Sequence, residues 1–313
     1  MSKPVAQDVI RRWEGNPTIS AEDIPFPCNT VFNAGAVKLD GEYLLLLRVE
    51  DLRGHSVLAL ACSDDGYHFT VHDEPVMDPC DEGEFAVYER KGIEDPRITR
   101  IEDTFYIVYT AVSDYGARLA LAKTTDFRSF ERIALISEPE NKDGALFPRK
   151  IGGQYVRLDR PMVGDSGNIW ISYSDDLVSW RGSRALMTVR GDCWDSWRIG
   201  ASVPPIETEQ GWLEIYHGVK GTSHGPIYRL GAAILDRDDP TKVLCRSAIP
   251  ILSPREDYER TGDIPNVVYS TGAVMEEDGT LKVYYSGADT CICIGTVRMN
   301  ELMQFCEIGS DKA

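Results

Sequence analysis

Positive charge is scarce in this sequence of 313 residues, which has 33 Lys and Arg against 50 Asp and Glu and a formal net charge of −17. Lys and Arg supply the contacts that bind nucleic-acid backbones and anionic lipid surfaces. The sequence therefore predicts neither a nucleic-acid partner nor a membrane partner. A site for one small anion is still compatible with this charge, because a few cations that converge in one pocket set the potential there.

Long apolar runs and paired cysteine motifs are also missing. No stretch approaches the ~18 apolar residues of a membrane span, and residues 1–15 lack a signal-peptide core. The eight cysteines show no CxxC spacing and no zinc-finger histidines. We expect a cytoplasmic protein without a metal site, with reduced and mostly buried thiols. Disulfides are the alternative, but a chain of this length can form a core without them.

Helical patterns are confined to the ends, over Val5–Trp13 and around Glu301–Phe305, whereas a two-strand unit with a polar turn recurs five times. The copies are GAVKLDGEYLLLLRVED from Gly35, PRITRIEDTFYIVYTAV from Pro96, FPRKIGGQYVRLDRP from Phe147, PPIETEQGWLEIYHGV from Pro204 and GAVMEEDGTLKVYYSGAD from Gly272. Their spacing of about 50 to 70 residues is slightly above the blade length of familiar propeller repeats. Five hairpins that close radially leave no exposed sheet edge.

The sequence thus predicts an all-β protein, with residues 1–313 forming a single five-bladed β-propeller domain with short terminal helical segments. A β-sandwich with an accessory domain is the alternative. The even distribution of the hairpins and the absence of a Pro/Gly/Ser-rich linker argue against it. A second recurrence, an apolar strand followed by an Asp turn and an aromatic residue, predicts the outer strands. In it, Asp64, Asp126 and Asp175 are expected to stabilise the turns.

Polar residues at matching positions of different hairpins would converge on the axial funnel of a propeller. The second strands carry such residues after apolar stretches: Arg48 and Glu50, Tyr109, Arg160, His217 and Asp289. A polar group at the end of an apolar strand is costly unless it has a partner or a function. We therefore expect a binding site where these strands meet.

Asp95 stands before a strand in the segment GIEDPR, residues 92–97. Pro96 excludes Asp95 from the right-handed α region, so we expect its carboxylate on an extended, stiff segment that suits a catalytic acid. Alternatively, Asp95 forms a turn and pairs with Arg97.

Four basic residues stand beside apolar or aromatic neighbours in this acidic chain: Lys142, Arg160, Arg198 and His217. Each could be a structural ion-pair residue. Together they could form an oxyanion clamp, because Arg binds phosphate in bidentate fashion.

With these residues, the chain resembles glycoside hydrolase family 130, the inverting β-mannoside phosphorylases and related β-mannosidases. The resemblance covers nearly the whole chain, in the segments FNAGA (32–36), LLLRVED (45–51), GIEDPRI (92–98), NKDGALFPRKI (141–151), GWLEIYHGV (211–219), residues 251–273 and YYSGADT (284–290). It implies a five-bladed propeller that cleaves a β-1,2- or β-1,4-mannoside, or a mannosyl-glucose, with inorganic phosphate as co-substrate and no cofactor.

The resemblance also implies residue roles. Asp95 matches the general acid, whose proton the family passes through the 3-hydroxyl of the mannosyl unit. The sugar would be held by Asn33, Arg48 and Asp289, and phosphate by Lys142, Arg160, Arg198, His217 and Tyr228. The chain departs from the family where it has Arg198 instead of the usual Lys and Asp143 instead of Asn. A carboxylate at position 143 would repel phosphate unless it faces the sugar or Lys142, so we place Asp143 with the sugar.

An inverting hydrolase needs a second carboxylate to activate water, whereas phosphate arrives as an anionic nucleophile and needs only the acid and a cationic pocket. Clustered cations therefore favour phosphorolysis. The alternatives are an inverting β-mannosidase and a propeller that only binds glycans. For the mannosidase, Glu207 and Glu209 are the nearest acidic pair, but they are predicted in a hairpin turn away from the funnel. A homo-oligomer is compatible with the sequence.

Overall fold

The computed structural model describes residues 8–163 and 166–309, which form a five-bladed β-propeller. Two short strands, β1 (Arg11–Arg12) and β2 (Ile19–Ser20), and a 3₁₀ turn (Ala21–Asp23) come first. The first blade contains β3 (Cys28–Leu39), β4 (Glu42–Asp51), β5 (Ser56–Ser63) and β6 (Thr70–Val71). After helix α1 (Gly83–Tyr88), the second blade contains β7 (Ile93–Ile101), β8 (Thr104–Ser113), β9 (Gly116–Thr124) and β10 (Glu131–Leu135).

The third blade contains β11 (Asn141–Leu146), β12 (Tyr155–Val163), β14 (Ile169–Ser174) and β15 (Trp180–Met187), with the two-residue strand β13 (Ser166–Gly167) between β12 and β14 in the chain. The fourth contains β16 (Arg198–Ala201), β17 (Ile206–Thr208), β18 (Gly211–Thr222), β19 (Gly225–Leu235) and β20 (Val243–Arg246). Helix α2 (Asp257–Arg260) precedes the fifth, β21 (Val268–Met275), β22 (Thr280–Gly287) and β23 (Cys291–Arg298), and helix α3 (Met299–Gly309) follows it.

The ring is closed by the N-terminal strands, which pair antiparallel with the last strand. Arg11 lies opposite Thr296 in β1–β23, and Ile19 lies opposite Ile292 in β2–β23. This pairing covers the outer edge of β23, which would otherwise expose a row of backbone donors and acceptors. Bridging through β13 joins the third blade to the fourth, where Gly167 lies opposite Arg198.

Apolar side chains fill the spaces between neighbouring blades, and the inner strands approach one another closely at the axis. A Cβ at Gly35 of β3 would lie 2.8 Å from the carbonyl oxygen of Pro96 in β7. A Cβ at Gly272 of β21 would lie 2.6 Å from the carbonyl oxygen of Ala34. Only glycine fits at such contacts, which bring the first strands of three blades together and define the centre of the ring.

The second strand of each predicted hairpin is confirmed as an inner strand of its blade. In the third blade the first strand is β11, which ends before the predicted start at Phe147, and in the fourth blade the first strand is divided into β16 and β17. The predicted helix over Val5–Trp13 is wrong for residues 8–13, where the chain forms β1 instead, because its apolar residues are needed against β23 and the fifth blade. Residues 5–7 lie outside the described part. The predicted C-terminal helix is present as α3 and is longer than the sequence indicated.

The turns that follow the outer strands use aspartate, in part at shifted positions. Asp126 accepts hydrogen bonds from the backbone N–H groups of Arg128 and Ser129, as predicted. In the two Ser-Asp-Asp turns the neighbouring Asp65 and Asp176 do this instead of Asp64 and Asp175. The shared spacing is Ser or Thr, any residue, then Asp, because the hydroxyl also accepts the turn's N–H groups.

All eight cysteines carry thiols rather than disulfides, and three of them are fully buried. Among residues 8–163 and 166–309, no helix has both the length and the apolar character that crossing a membrane requires.

Candidate active site

A cavity of about 370 Å³ lies where the inner strands of all five blades meet. Its lining includes every one of the ten site residues predicted from the sequence: Asn33, Arg48, Asp95, Lys142, Asp143, Arg160, Arg198, His217, Tyr228 and Asp289. Trp197, Ile264 and Tyr269 also line it. We call this cavity the axial pocket.

Irregularities in the first strands of the blades direct polar side chains into the axial pocket. Asn33, Asp95 and Asp143 have φ values of 51°, 55° and 58°, and each lies at a shift of register between the first and second strand of its hairpin. Asn and Asp tolerate this left-handed conformation better than other non-glycine residues. The prediction of an extended segment at Asp95 was therefore wrong, because a bulge reverses its backbone and aims the carboxylate at the axis.

Asp95 is 7% exposed, and its carboxylate is held through one of its oxygens. Asn33 Nδ2 donates to Asp95 Oδ1 at 2.7 Å, and Arg48 Nη1 donates to the same oxygen at 2.8 Å. No residue in the described part of the chain donates a hydrogen bond to Oδ2. This arrangement fixes the orientation of the carboxylate.

The pKa of Asp95 is set by opposing effects. Burial raises it, but the positive charges of Arg48, Arg97 and Lys142 and the hydrogen bond from Asn33 outweigh burial and hold the pKa below its usual value. Without an anion in the pocket, Asp95 is therefore ionised at neutral pH. An anion bound beside the same cations would offset their charge and raise the pKa of this carboxyl group.

Glu94, to which the sequence analysis assigned no role, connects two of the cations. Its Oε1 lies 2.8 Å from Arg48 Nη2, and its Oε2 lies 3.2 Å from Lys142 Nζ. Glu94 therefore holds a predicted sugar contact and a predicted phosphate contact in one network beside Asp95. In the sequence, the signal that could have identified Glu94 as a site residue is its position directly before Asp95 in the EDPR motif.

Asp143 faces neither Lys142 nor open space, and other partners compensate its negative charge. Its Oδ2 lies 3.0 Å from Arg160 Nε and 3.5 Å from His217 Nε2. Its Oδ1 accepts a hydrogen bond from the Tyr269 hydroxyl at 3.0 Å and lies 3.4 Å from Arg97 Nη2. Burial raises the pKa of Asp143, but the positive charges of Arg160 and Arg97 outweigh burial and lower the pKa, so the group is anionic.

His217 contributes no positive charge, although the sequence analysis grouped it with the cations. Burial lowers the pKa of His217 to about 3, so the ring is neutral at physiological pH. Nε2 lies 3.1 Å from Arg160 Nη1, and Nδ1 lies 3.3 Å from the Ser202 hydroxyl. The arginine can only donate, which assigns the ring proton to Nδ1 and makes His217 a support for the guanidinium of Arg160.

Arg198 has no carboxylate within ion-pair distance in the described part of the chain, in contrast to Lys142 and Arg160. Its guanidinium lies 4.2 Å above the ring of Trp197, and its buried Nε has no hydrogen-bond partner among the described residues. Tyr228 lies nearby and packs against His217 with ring centroids 6.2 Å apart. An arginine without a carboxylate partner, held against an aromatic ring, is a ready donor for an anion.

Asp289 lies on a tight turn after β22, with φ of 55°. Burial raises the pKa of Asp289 to about 7, and Arg48 only partly opposes this effect. The side chain is therefore partly protonated near neutral pH. It can donate a hydrogen bond to a sugar hydroxyl group or accept one from it.

Two residues expected to converge do not reach the axial pocket. The Tyr109 hydroxyl donates to Glu89, a buried carboxylate that also binds Arg132, and Glu50 accepts from Asn29 near the surface. Both follow apolar stretches, so the strand pattern alone could not separate them from true site residues. Glu207 and Glu209 line a separate cavity of about 870 Å³ beside α3, away from the axial pocket as predicted.

Buried Arg97 and Tyr269 were not predicted as site residues, although they bind Asp143 and each other. Arg97 also donates to the carbonyl oxygens of Ala201 and Ser202, which links the second blade to the fourth. Within the described residues, no three His, Cys, Asp or Glu side chains are grouped so that they could hold a metal ion.

The propeller and its axial pocket, with a buried, positioned carboxylate beside several arginines and a lysine, fit a carbohydrate-cleaving enzyme of the glycosidase and phosphorylase class. The chain belongs to glycoside hydrolase family 130, whose model, described as beta-1,4-mannooligosaccharide phosphorylase, matches residues 3–308.

Individual relatives agree with this assignment. A 1,2-beta-oligomannan phosphorylase from Thermoanaerobacter is 38% identical over 87% of this chain and 91% of its own. A beta-1,2-mannobiose phosphorylase from Listeria innocua is 36% identical over 96% of this chain and 99% of its own. The structure of a Listeria innocua beta-1,2-mannobiose phosphorylase in complex with beta-1,2-mannobiose superimposes with a TM-score of 0.87 over 96% of this chain and 99% of its own.

Proposed function

We propose that this chain is an inverting β-mannoside phosphorylase, which transfers a mannosyl unit from a β-1,2- or β-1,4-mannoside to inorganic phosphate. The products are α-mannose 1-phosphate and the shortened acceptor sugar. Family membership and the names of the relatives support the reaction. The observation that carries it is the position of Arg198, a cation without a carboxylate partner among the described residues, in the same pocket as the positioned acid Asp95.

In this reaction the bond between C1 of the mannosyl unit and the leaving oxygen breaks, and a bond from C1 to a phosphate oxygen forms on the opposite face. Asp95 supplies the proton that the leaving oxygen takes up, directly or through a sugar hydroxyl group. Phosphate needs no base, because it is already anionic. Arg198, Arg160 and Lys142 would hold it by charge, Tyr228 would add a hydrogen bond, and His217 would act by supporting the guanidinium of Arg160.

The sugar would be held by Asn33, Arg48 and Asp289, which lie around Asp95. For Asp143 we propose a positioning role in place of sugar contact. Arg160 engages Oδ2, and Arg97 and Tyr269 engage Oδ1, so Asp143 orients Arg160 for phosphate. This explains how a carboxylate can stand beside a phosphate site without expelling the anion.

Phosphate binding would also prepare the acid. Asp95 is ionised in the empty pocket because three cations surround it. A phosphate dianion beside Lys142, one of these three cations, would offset part of this positive charge, raise the pKa of Asp95 and favour its protonated form. The enzyme would therefore become competent for acid catalysis only when its nucleophile is present, which disfavours hydrolysis.

The test is anomeric proton NMR of the products from β-1,2- and β-1,4-mannobiose, with and without phosphate. We expect α-mannose 1-phosphate with phosphate and little turnover without it. Rapid release of free mannose in phosphate-free buffer would instead assign the chain to the β-mannosidases, with Asp289 as the candidate base. Comparing the two substrates assigns the linkage.

A further inference from the structure

Ser286 lies near the end of β22 in the fifth blade, beside the axial pocket but not in its lining. It is fully buried and lies opposite Tyr269 of β21, whose side chain is part of the pocket wall. Residues that lie opposite each other on paired strands point to the same face of the sheet, so the Ser286 hydroxyl is directed towards the axis. Any effect of this hydroxyl on the reaction must therefore pass through another residue.

The first partner of the hydroxyl is the backbone of Asn33 in the first blade. The register of β3 shifts between Phe32 and Ala34, which takes Asn33 out of the ladder with β4. Its backbone N–H donates instead to Ser286 Oγ at 2.5 Å. A buried N–H without a partner is costly, so this bond supports the bulge in which Asn33 has a φ of 51°.

The second partner is the side-chain amide of the same residue. Ser286 Oγ donates its single proton to Asn33 Oδ1 at 2.7 Å, and Asn33 Nδ2 donates to Asp95 Oδ1 at 2.7 Å. An ionised carboxylate can only accept hydrogen bonds, so the amide nitrogen faces Asp95 and the amide oxygen faces Ser286. The three side chains thus form a chain in which each donor has an acceptor.

Rotation of the Asn33 amide by half a turn would break this chain. It would place Asn33 Oδ1 against Asp95 Oδ1, two acceptors without a proton between them as long as Asp95 is ionised. It would also leave the proton of Ser286 without its acceptor. The rotated amide is favourable only beside a protonated Asp95. The hydroxyl of Ser286 therefore keeps the amide in the orientation that donates to the carboxylate.

Titratable groups from all five blades surround Asp95. The cations are Arg48, Arg97 and Lys142, and the other groups are Glu94, Asp143, His217, Tyr269 and Asp289. The hydrogen bond from Asn33 acts in the same direction as the cations and lowers the pKa of Asp95. All these groups are the same in wild type and in a Ser286 variant, so a difference in pH dependence between the two proteins reports the bond from Asn33.

We propose that Ser286 is a positioning residue for acid catalysis, which acts on Asp95 through the orientation of the Asn33 amide group. The inference rests on the proposed function, in which Asp95 supplies the proton. A serine of the fifth blade thus holds the acid of the second blade by way of a bulge in the first.

The pH dependence of mannobiose cleavage at saturating phosphate tests this role in Ser286→Ala. Without the hydroxyl, the amide can turn its oxygen towards Asp95, which raises the pKa of the acid. We expect kcat to fall about 2- to 10-fold, the loss of one hydrogen bond. The decline of the rate at high pH should move up by about 0.3 to 1 pH unit, the same factor in the protonation equilibrium. KM for phosphate should stay unchanged, because neither Ser286 nor Asn33 is a proposed phosphate contact.

Ser172→Ala is the matched control. Ser172 is a buried serine of β14 outside the axial pocket, and its hydroxyl has no partner among the described residues. This variant should keep the kcat and the pH profile of wild type. Ser286→Cys, which replaces the hydroxyl by a weaker S–H donor of similar size, should show the same changes as Ser286→Ala to a smaller extent. General damage to the fold would instead lower the rate by one factor at every pH.

A double-mutant cycle tests whether Ser286 acts through the amide. Asn33→Gly removes the amide and keeps the backbone, because glycine adopts a positive φ without strain. Adding Ser286→Ala to Asn33→Gly should lower kcat by less than about 2-fold more, since the group that Ser286 orients is already absent.

Two results would overturn the inference: losses of kcat that multiply in the double variant, or Ser286 variants whose pH profile matches that of wild type. Failure of the proposed function is a separate result, because it requires wild type to cleave mannobiose without phosphate. In that event the same variants are compared in hydrolysis, with the same expected shift of the pH profile, since an inverting hydrolase also needs the acid.

Discussion

The carboxylate Oδ2 of Asp143 lies 3.0 Å from Nε of Arg160, and both side chains are buried. Removing one member of a buried ion pair leaves the other uncompensated and costs about 3–5 kcal/mol. Asp143→Asn should therefore lower Tm in phosphate-free buffer, because Arg160 and Arg97 lose their counter-charge. Phosphate can supply that charge, so it should raise the Tm of the variant more than that of wild type. If phosphate raised the Tm of the variant and of wild type equally in thermal denaturation, the positioning role of Asp143 would be contradicted.

Asp95→Asn should keep the fold and lower the rate of phosphorolysis at least ~100-fold, because general acid catalysis contributes 10²–10⁴ and the amide cannot donate its proton in this way. The control is Asp103→Asn, which changes a fully exposed carboxylate in the β7–β8 turn. Steady-state rates with mannobiose and phosphate are the measurement. Near-normal turnover by the Asp95 variant would rule out its assignment as the acid.

Arg198→Ala should lower kcat/KM for phosphate about 10- to 150-fold, the loss of a charge-assisted hydrogen bond worth roughly 1.5–3 kcal/mol. Sugar affinity and Tm should change little, because Arg198 has no ion-pair partner among the described residues. Arg160→Ala should show a similar kinetic loss together with a lower Tm, since it leaves Asp143 buried without its partner. Arg128→Ala, at an exposed arginine, serves as control. If Arg198→Ala kept the wild-type dependence on phosphate, the phosphate site would lie elsewhere.

Asp289→Asn should stabilise the protein at pH 8 and leave its stability unchanged at pH 4. Burial raises the folded pKa of Asp289 to about 7, whereas the unfolded value is about 3.9. When folding raises the pKa of a carboxyl group, the stability of the protein is fully present below the unfolded-state pKa. It is lost as the pH rises through the folded-state pKa. The amide avoids this loss. We expect a gain on the order of 1–2 kcal/mol, less than full linkage would give, because the side chain is partly exposed to the pocket.

Thermal denaturation of both proteins between pH 4 and pH 8 measures this effect. A difference in Tm that is constant with pH would show that Asp289 is ionised throughout. Activity should fall in the variant at every pH, because Asp289 is proposed to hold the sugar.

Metal removal should leave the activity unchanged. Asp95 can protonate the leaving oxygen, and protein cations can offset the charge of phosphate, so no Lewis acid is required. Activity after dialysis against a chelator is the measurement. Loss of turnover that a divalent cation restores would contradict this prediction.

The amino-acid sequence by itself determined the hairpins, because alternating apolar residues and Asp- or Gly-containing turns act within a few neighbouring positions. It also indicated Asp95 and the cations, through ordered motifs that resemble one family. Tyr109 shows the limit of strand patterns: it satisfies the same pattern as Arg160, but its hydroxyl binds Glu89 outside the pocket.

Only the tertiary structure decided the state and the partners of the site residues. The bulges that give Asn33, Asp95 and Asp143 a positive φ depend on how each first strand packs at the axis. Burial among three blades makes His217 neutral, although its residue type suggested a cation. Asp143 meets Arg160 within its own blade and Arg97 from the neighbouring one. Charge and hydrogen bonding depend on distances between residues far apart in the chain, and folding alone sets those distances.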